Sequence, residues 1–126
     1  MTITLREEVK GRLRNNDFNC EKEITLSIIS GKWKAVILWH LGFEGPHRFG
    51  ELQRLFTNLS NRILTKQLRE LEHDGIICRK IYSEVPPRVE YRMTALGITI
   101  LPIVDALFQW GKQNMPYYID RMNEEH

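Results

Sequence analysis

The sequence predicts a mainly α-helical domain carrying one small β-hairpin. Three observations point there. Apolar residues recur at spacings of three and four along most of the 126-residue chain, which is the period of amphipathic helices. Residues 76–93 instead hold two strand-like runs around a stiff tip, Glu84-Val85-Pro86-Pro87-Arg88. Immediately before them, from Arg48 to His73, two helical stretches are joined by a turn. A helix pair followed at once by a hairpin is the pattern of a winged helix-turn-helix.

The elements follow in order. In residues 1–19, Leu5, Val9 and Leu13 fall at i, i+4 and i+8, enough for a short amphipathic helix that needs another surface, such as a partner subunit, to cover it. From Glu21 to Ile29 the pattern is helical, with Ile24, Ile28 and Ile29 on one face and Ser30-Gly31 as its stop. A second helix is expected from Lys32 to Leu41. Its apolar residues Trp33, Val36, Ile37, Leu38, Trp39 and Leu41 cover most of its circumference, so deep burial is expected. Residues 42–46 read as a loop.

Phe49, Leu52, Leu55 and Phe56 then mark a helix of about two turns. Thr57-Asn58-Leu59 is the turn, and Ser60 is an N-cap whose hydroxyl can accept from a free backbone N–H. Leu64, Leu68 and Leu71 form the inward stripe of the next helix, which Asp74-Gly75 ends. The hairpin strands are Ile76–Tyr82 and Val89–Met93, with Val89, Tyr91 and Met93 alternating with Glu90 and Arg92. Pro86-Pro87 is expected to hold the tip extended. Thr94 caps a last helix, Ala95 to Gln113, in which Pro102 either makes a kink or starts a second helix.

That last helix is too apolar for one buried face. Leu101, Val104, Leu107, Phe108 and Trp110 are therefore expected at a homodimer interface. The organisation expected is an arm (1–19), a winged-helix domain with its dimerisation helix (20–113) and a C-terminal tail (114–126).

Hydrophobic content of 42% and charged content of 27% fit an ordinary globular chain. No apolar run approaches the roughly eighteen residues that span a bilayer, and Met1–Glu8 has no apolar signal core; a cytoplasmic protein is expected. Residues 1–99 carry sixteen Lys/Arg against twelve Asp/Glu, while 100–126 carry two against four. A basic body beside an acidic tail is compatible with a phosphate-facing surface, and equally with an ordinary solvated one. The cysteines, Cys20 and Cys78, read as free thiols in a reducing compartment.

Hydrogen-bond donors crowd the outward face of the helix that Ser60 caps. There Arg62 can pair bidentately with guanine, Asn61 with adenine, and Thr65 can meet a thymine methyl. Lys66 and Arg69 suit phosphates, which set register without reading sequence. Arg88 at the tip suits minor groove or phosphate. Arg48, Arg79 and Lys80 are secondary candidates for which a salt bridge to Glu84 or Glu90 is the competing reading. The same donors would also make a plain solvated helix face.

The chain closely resembles the HxlR-type regulators, a branch of the winged-helix transcription factors near the MarR-like group. The resemblance rests on Cys20 ahead of Ile29-Ser30-Gly31-Lys32-Trp33-Lys34, on Arg48-Phe49-Gly50-Glu51-Leu52, and on Leu64-Thr65-Lys66-Gln67-Leu68-Arg69-Glu70-Leu71-Glu72 with Asp74-Gly75. It continues through Tyr82-Ser83-Glu84-Val85-Pro86-Pro87-Arg88-Val89-Glu90-Tyr91, Thr94-Ala95-Leu96-Gly97 and Trp110-Gly111. The chain departs from the family pattern at Glu21, where proline is common, and at Ser30, where glycine is common.

The resemblance implies a dimeric DNA-binding repressor or activator of neighbouring genes; the function expected is repression by a homodimer on a pseudo-palindromic duplex. It also implies a sensor option for Cys20, since a cysteine at the matching position in several relatives responds to oxidants or electrophiles. Against it, Glu21 and Glu23 oppose thiolate formation, and an unreactive thiol near the dimer interface stays open; Cys78 reads as a small core residue. A small-molecule effector is left open. A winged-helix module that binds a protein partner is the competing function. No metal or other cofactor is expected, because His40, His47, His73 and His126 lack ligand spacing. No catalytic frame is visible either.

Overall fold

The computed structural model describes residues 7–14 and 21–125. Among them the elements run α1 (Glu7–Arg14), α2 (Glu21–Ile29), α3 (Lys34–Phe43), β1 (His47–Arg48), α4 (Phe49–Leu55), α5 (Asn61–His73), β2 (Ile77–Tyr82), β3 (Arg88–Met93), α6 (Ala95–Ile98) and α7 (Leu101–Glu124). The mainly helical, winged architecture is the expected one. Cys20, Leu5 and the side chains of Val9 and Leu13 lie outside the described residues.

The core forms where the apolar stripes converge. Ile37, Leu38 and Leu41 of α3 meet Leu52 of α4 and Leu64, Leu68 and Leu71 of α5, and Ile77 and Tyr91 close the sheet side. A charge sits inside this packing: Lys34 is 2% exposed, with its Nζ 3.5 Å from Glu70 Oε1. A buried ammonium is tolerated only with such a partner, so the pair holds α3 against α5. Helix α3 is less enclosed than its composition suggests, because Val36 is exposed and Trp33 and Trp39 are half-buried.

Helix α5 begins as expected, with Ser60 Oγ accepting from the Ile63 N–H at 3.2 Å. It ends at Gly75, whose φ of 78° suits a residue without a Cβ. There the Gly75 N–H donates to Glu72 O and the Ile76 N–H to Leu71 O, both at 3.0 Å, the paired bonds of a Schellman stop.

Strands β2 and β3 pair antiparallel from Ile77↔Met93 to Tyr82↔Arg88. A third strand, absent from the sequence expectation, pairs on the other side of β3 through His47↔Tyr91 and Arg48↔Glu90. The chain enters it through a local lock: His47 Nδ1 donates to Gly45 O at 2.7 Å while Glu44 Oε1 lies 3.2 Å from its Nε2 and 2.7 Å from His40 Nδ1. The His40 bond comes first among the causes that draw the Glu44 carboxyl below its ordinary range. The hairpin tip bends at Val85 and Pro86, whose peptide bond is cis, where an extended tip was expected.

After Thr94 the chain forms two helices, α6 and α7, with Pro102 in the first turn of the second; of the two outcomes expected at Pro102, a kink or a second helix, it is the second helix that forms. Proline fits there, since the first helical N–H groups have no intrahelical partner anyway. Thr94 is the junction. Its hydroxyl accepts from the Gly97 N–H at 2.9 Å and donates to Gly75 O at 2.6 Å, with Ile76 O 3.1 Å away. Helix α7 then runs through Pro116 to Glu124, so residues expected as a tail from 114 onward are helical. Pro116 is exposed, where water can satisfy the carbonyl left without an N–H.

Leu101 and Val104 pack into the chain's own core, which corrects their expected place on a dimer surface. Leu101 lies so close to α3 that a Cβ on Gly42 would stand 2.3 Å from its Cδ2.

Candidate nucleic-acid interface

The helix-turn-helix is α4, the turn 56–60 and α5. Because Leu64, Leu68 and Leu71 are buried, the 3.6-residue period turns Asn61, Arg62, Thr65, Lys66 and Arg69 away from the core. Thr65 is half-buried and the other four are exposed. Among the described residues Arg62 and Lys66 make no ion pair, which leaves both cations available to an outside anion.

Asn61 is not free in the same way. Gln53 Nε2 of α4 donates to Asn61 Oδ1 at 2.6 Å, taking one of the two acceptor positions of the oxygen that bidentate pairing with adenine uses. This bond joins the two helices of the motif across the turn, and no one-dimensional pattern reports it.

The wing is organised around Tyr82. Its ring carries the Arg88 guanidinium at 3.9 Å and the Lys80 ammonium at 4.9 Å from the centroid. Its hydroxyl donates to Glu90 Oε1 at 3.0 Å and accepts from Arg92 Nη2 at 3.1 Å. The Tyr82 hydrogen bond first, and then Arg92, hold the Glu90 carboxyl below its ordinary range. Arg88 also pairs with Glu84 at 3.5 Å and is only 26% exposed. It is therefore a stacked, ion-paired cation at the wing.

The secondary candidates divide. Arg79 Nε lies 2.9 Å from Glu72 Oε2, an ion pair that raises the Arg79 pKa through its hydrogen bond and ties β2 to α5. Its salt-bridge partner is thus Glu72, where the sequence pointed to Glu84 or Glu90. Lys80 stays exposed on the wing, and Arg48 is exposed at the start of α4, its backbone N–H bound to Glu51 Oε1 at 2.9 Å. Cys78 is a free, half-buried thiol opposite Arg92 in the ladder.

Away from this surface, α7 leaves Leu107, Phe108, Trp110, Met115 and Ile119 exposed. The Phe108 ring lies 5.2 Å from that of Trp39, beside an apolar hollow of about 370 Å³ shared by α3 and α7. Among the described residues no helix is long and apolar enough to cross a membrane, and no His, Cys, Asp or Glu cluster has the arrangement of a metal site.

Comparison with known proteins agrees with this geometry. A family model described as HxlR-like helix-turn-helix matches residues 28–118. A protein of Fusobacterium mortiferum named as a regulatory protein, MalR, is 46% identical over 101 residues, covering 80% of this chain and 95% of that one. The HTH-type transcriptional regulator YdeP of Bacillus subtilis is 44% identical over 111 residues, with 87% and 83% covered. Among solved structures, the redox regulator HypR in its reduced form is 42% identical with a TM-score of 0.75, covering 80% of this chain and 99% of that one. Its oxidised form gives 46% and 0.72, with 75% and 97% covered. The fold, the donor-rich α5 and these likenesses together place the chain in the HxlR-like helix-turn-helix family of DNA-binding transcriptional regulators.

Proposed function

We propose that the protein represses transcription as a homodimer on a pseudo-palindromic duplex site, with one α5 in each of two major grooves. The observation that carries this reading is the face of α5 itself, where Arg62 and Lys66 stand exposed above a fully buried leucine stripe. The wing follows α5 directly and is tied to it by Arg79–Glu72, which supports Arg88 and Lys80 as contacts to the flanking backbone. The apolar side of α7 supports pairing of two copies, because an exposed patch of that kind marks an interaction surface.

The test is a gel shift with genomic fragments flanking the protein's own gene. A specific complex that weakens with salt is expected. Its absence, in the presence and absence of reductant, would overturn the proposal and favour the protein-partner alternative. The two cations of α5 should then behave differently. Arg62→Ala should remove about 1–3 kcal/mol of discrimination at one base pair. Lys66→Ala should weaken binding to every sequence and lower the salt slope by about one. Equal effects of both on all sequences would contradict this division of roles.

Likeness to a redox regulator favours a thiol response as an added property, with Cys20 as the responding residue. Cys20→Ser should then abolish release of DNA by diamide and leave basal affinity unchanged. A full diamide response in that variant would move the role elsewhere, Cys78 being the other thiol.

A further inference from the structure

We infer that Gln53, a residue of α4 with no place on the recognition helix, sets which base Asn61 reads. The inference rests on the proposed docking of α5 in the major groove. Gln53 is half-buried, while Asn61 is exposed at the first position of α5. The 2.6 Å bond from Gln53 Nε2 to Asn61 Oδ1 fixes the rotation of the Asn61 amide. An asparagine amide has an oxygen that accepts and a nitrogen that donates twice. With the oxygen turned to α4, the side facing away from α4 is the NH₂ group.

Asn61 therefore turns its donors outward, while its oxygen faces α4 with one of its two acceptor positions taken. Adenine's bidentate edge needs an acceptor and a donor together, so it loses its advantage at this position. The groups that match are acceptors: thymine O4, guanine O6 or N7. Nothing about Asn61 by itself distinguishes these cases, since the same side chain with its amide reversed would favour a donor such as adenine N6 or cytosine N4. The distinction is made by the atom that position 53 turns toward Asn61. Gln53 turns its Nε2 there and donates to the oxygen; a carboxylate can only accept, and would turn the NH₂ inward.

The experiment is selection of bound duplexes from a randomised library by the full-length protein, run in parallel on wild type, Asn61→Ala, Gln53→Glu and Gln53→Met. Asn61→Ala marks the operator position that Asn61 reads. At that position wild type should favour thymine or guanine. Gln53→Glu should move the preference toward adenine or cytosine by roughly fivefold or more, and Gln53→Met should broaden it. The position read by Arg62 should keep its preference in every variant. Unchanged preference in both Gln53 variants would overturn the inference while leaving α5 as the reading helix. Failure of the wild-type protein to select any sequence would instead overturn the docking of α5, and this inference with it. Circular dichroism separates altered reading from lost folding, and Gln53→Met introduces no charge.

Discussion

Leu107→Glu should leave the subunit folded, separate the pair and lower affinity for the full operator by on the order of a hundredfold. Leu107 is 53% exposed in the protomer, so a carboxylate there costs the isolated fold little. Between two copies the same carboxylate would be buried without a partner, which is strongly unfavourable. Separation affects binding because the second α5 then no longer arrives already tethered. Linked binding modules gain about 10²–10⁴ in avidity over either alone. Sedimentation or light scattering with and without the substitution measures the assembly, and a titration on one duplex measures the affinity. A monomeric variant with undiminished affinity would show that each subunit acts alone. Val104 serves as the contrast: it is 2% exposed, so a charge there should unfold the protein and not merely divide it.

Gly97→Ala should cost about 3 kcal/mol, because a Cβ at Gly97 would stand 2.0 Å from the backbone oxygen of Ile76. Neither atom belongs to a flexible side chain, so α6 must shift. Ile76 O also accepts from the Thr94 N–H at 3.1 Å, so the shift pulls on the junction that joins the end of α5 to β2 and α6. For a chain of this size the loss corresponds to a fall in Tm of about 10 °C, read at equal protein concentration because assembly raises apparent stability. Gly50→Ala supplies the opposite expectation. Its Cβ would meet nothing closer than Arg54 Nη2 at 3.9 Å, and alanine in place of a helical glycine should add about 0.5–1 kcal/mol. Matching melting temperatures for the two variants would contradict this account of the α6 junction.

What the sequence made legible is what local periodicity encodes. Ser60, the leucines of α5 and Gly75 each act on near neighbours, and each does what its chemistry requires. Strand β1 escaped because two residues, His47 and Arg48, cannot display a period; they become a strand only by pairing with β3. The length of α7 escaped because Gly111, the polar run Lys112-Gln113-Asn114 and Pro116 together resemble a helix stop. Which apolar residues face outward also escaped, since Leu101 and Leu107 are alike until α3 takes one of them.

The candidate site divides along the same line. Arg62 and Lys66 could be placed on the outer face by counting from Leu64. The restraint of Asn61 by Gln53, of Arg88 by Tyr82 and of Arg79 by Glu72 depends on side chains brought together from separate elements. Arg79 braces the wing against α5, and Arg88 is held over the Tyr82 ring. Orienting a long side chain in advance reduces the entropy lost on contact, so a stacked Arg88 remains compatible with backbone binding.

Under the proposed docking, two copies place their α5 helices in successive major grooves of one duplex. Hydroxyl-radical footprinting on a fragment that gives a specific gel shift tests it most directly. The expected result is two protected regions related by a two-fold axis, their centres about 34 Å apart along the duplex or a small multiple of that. One asymmetric region, or uniform protection without boundaries, would contradict it.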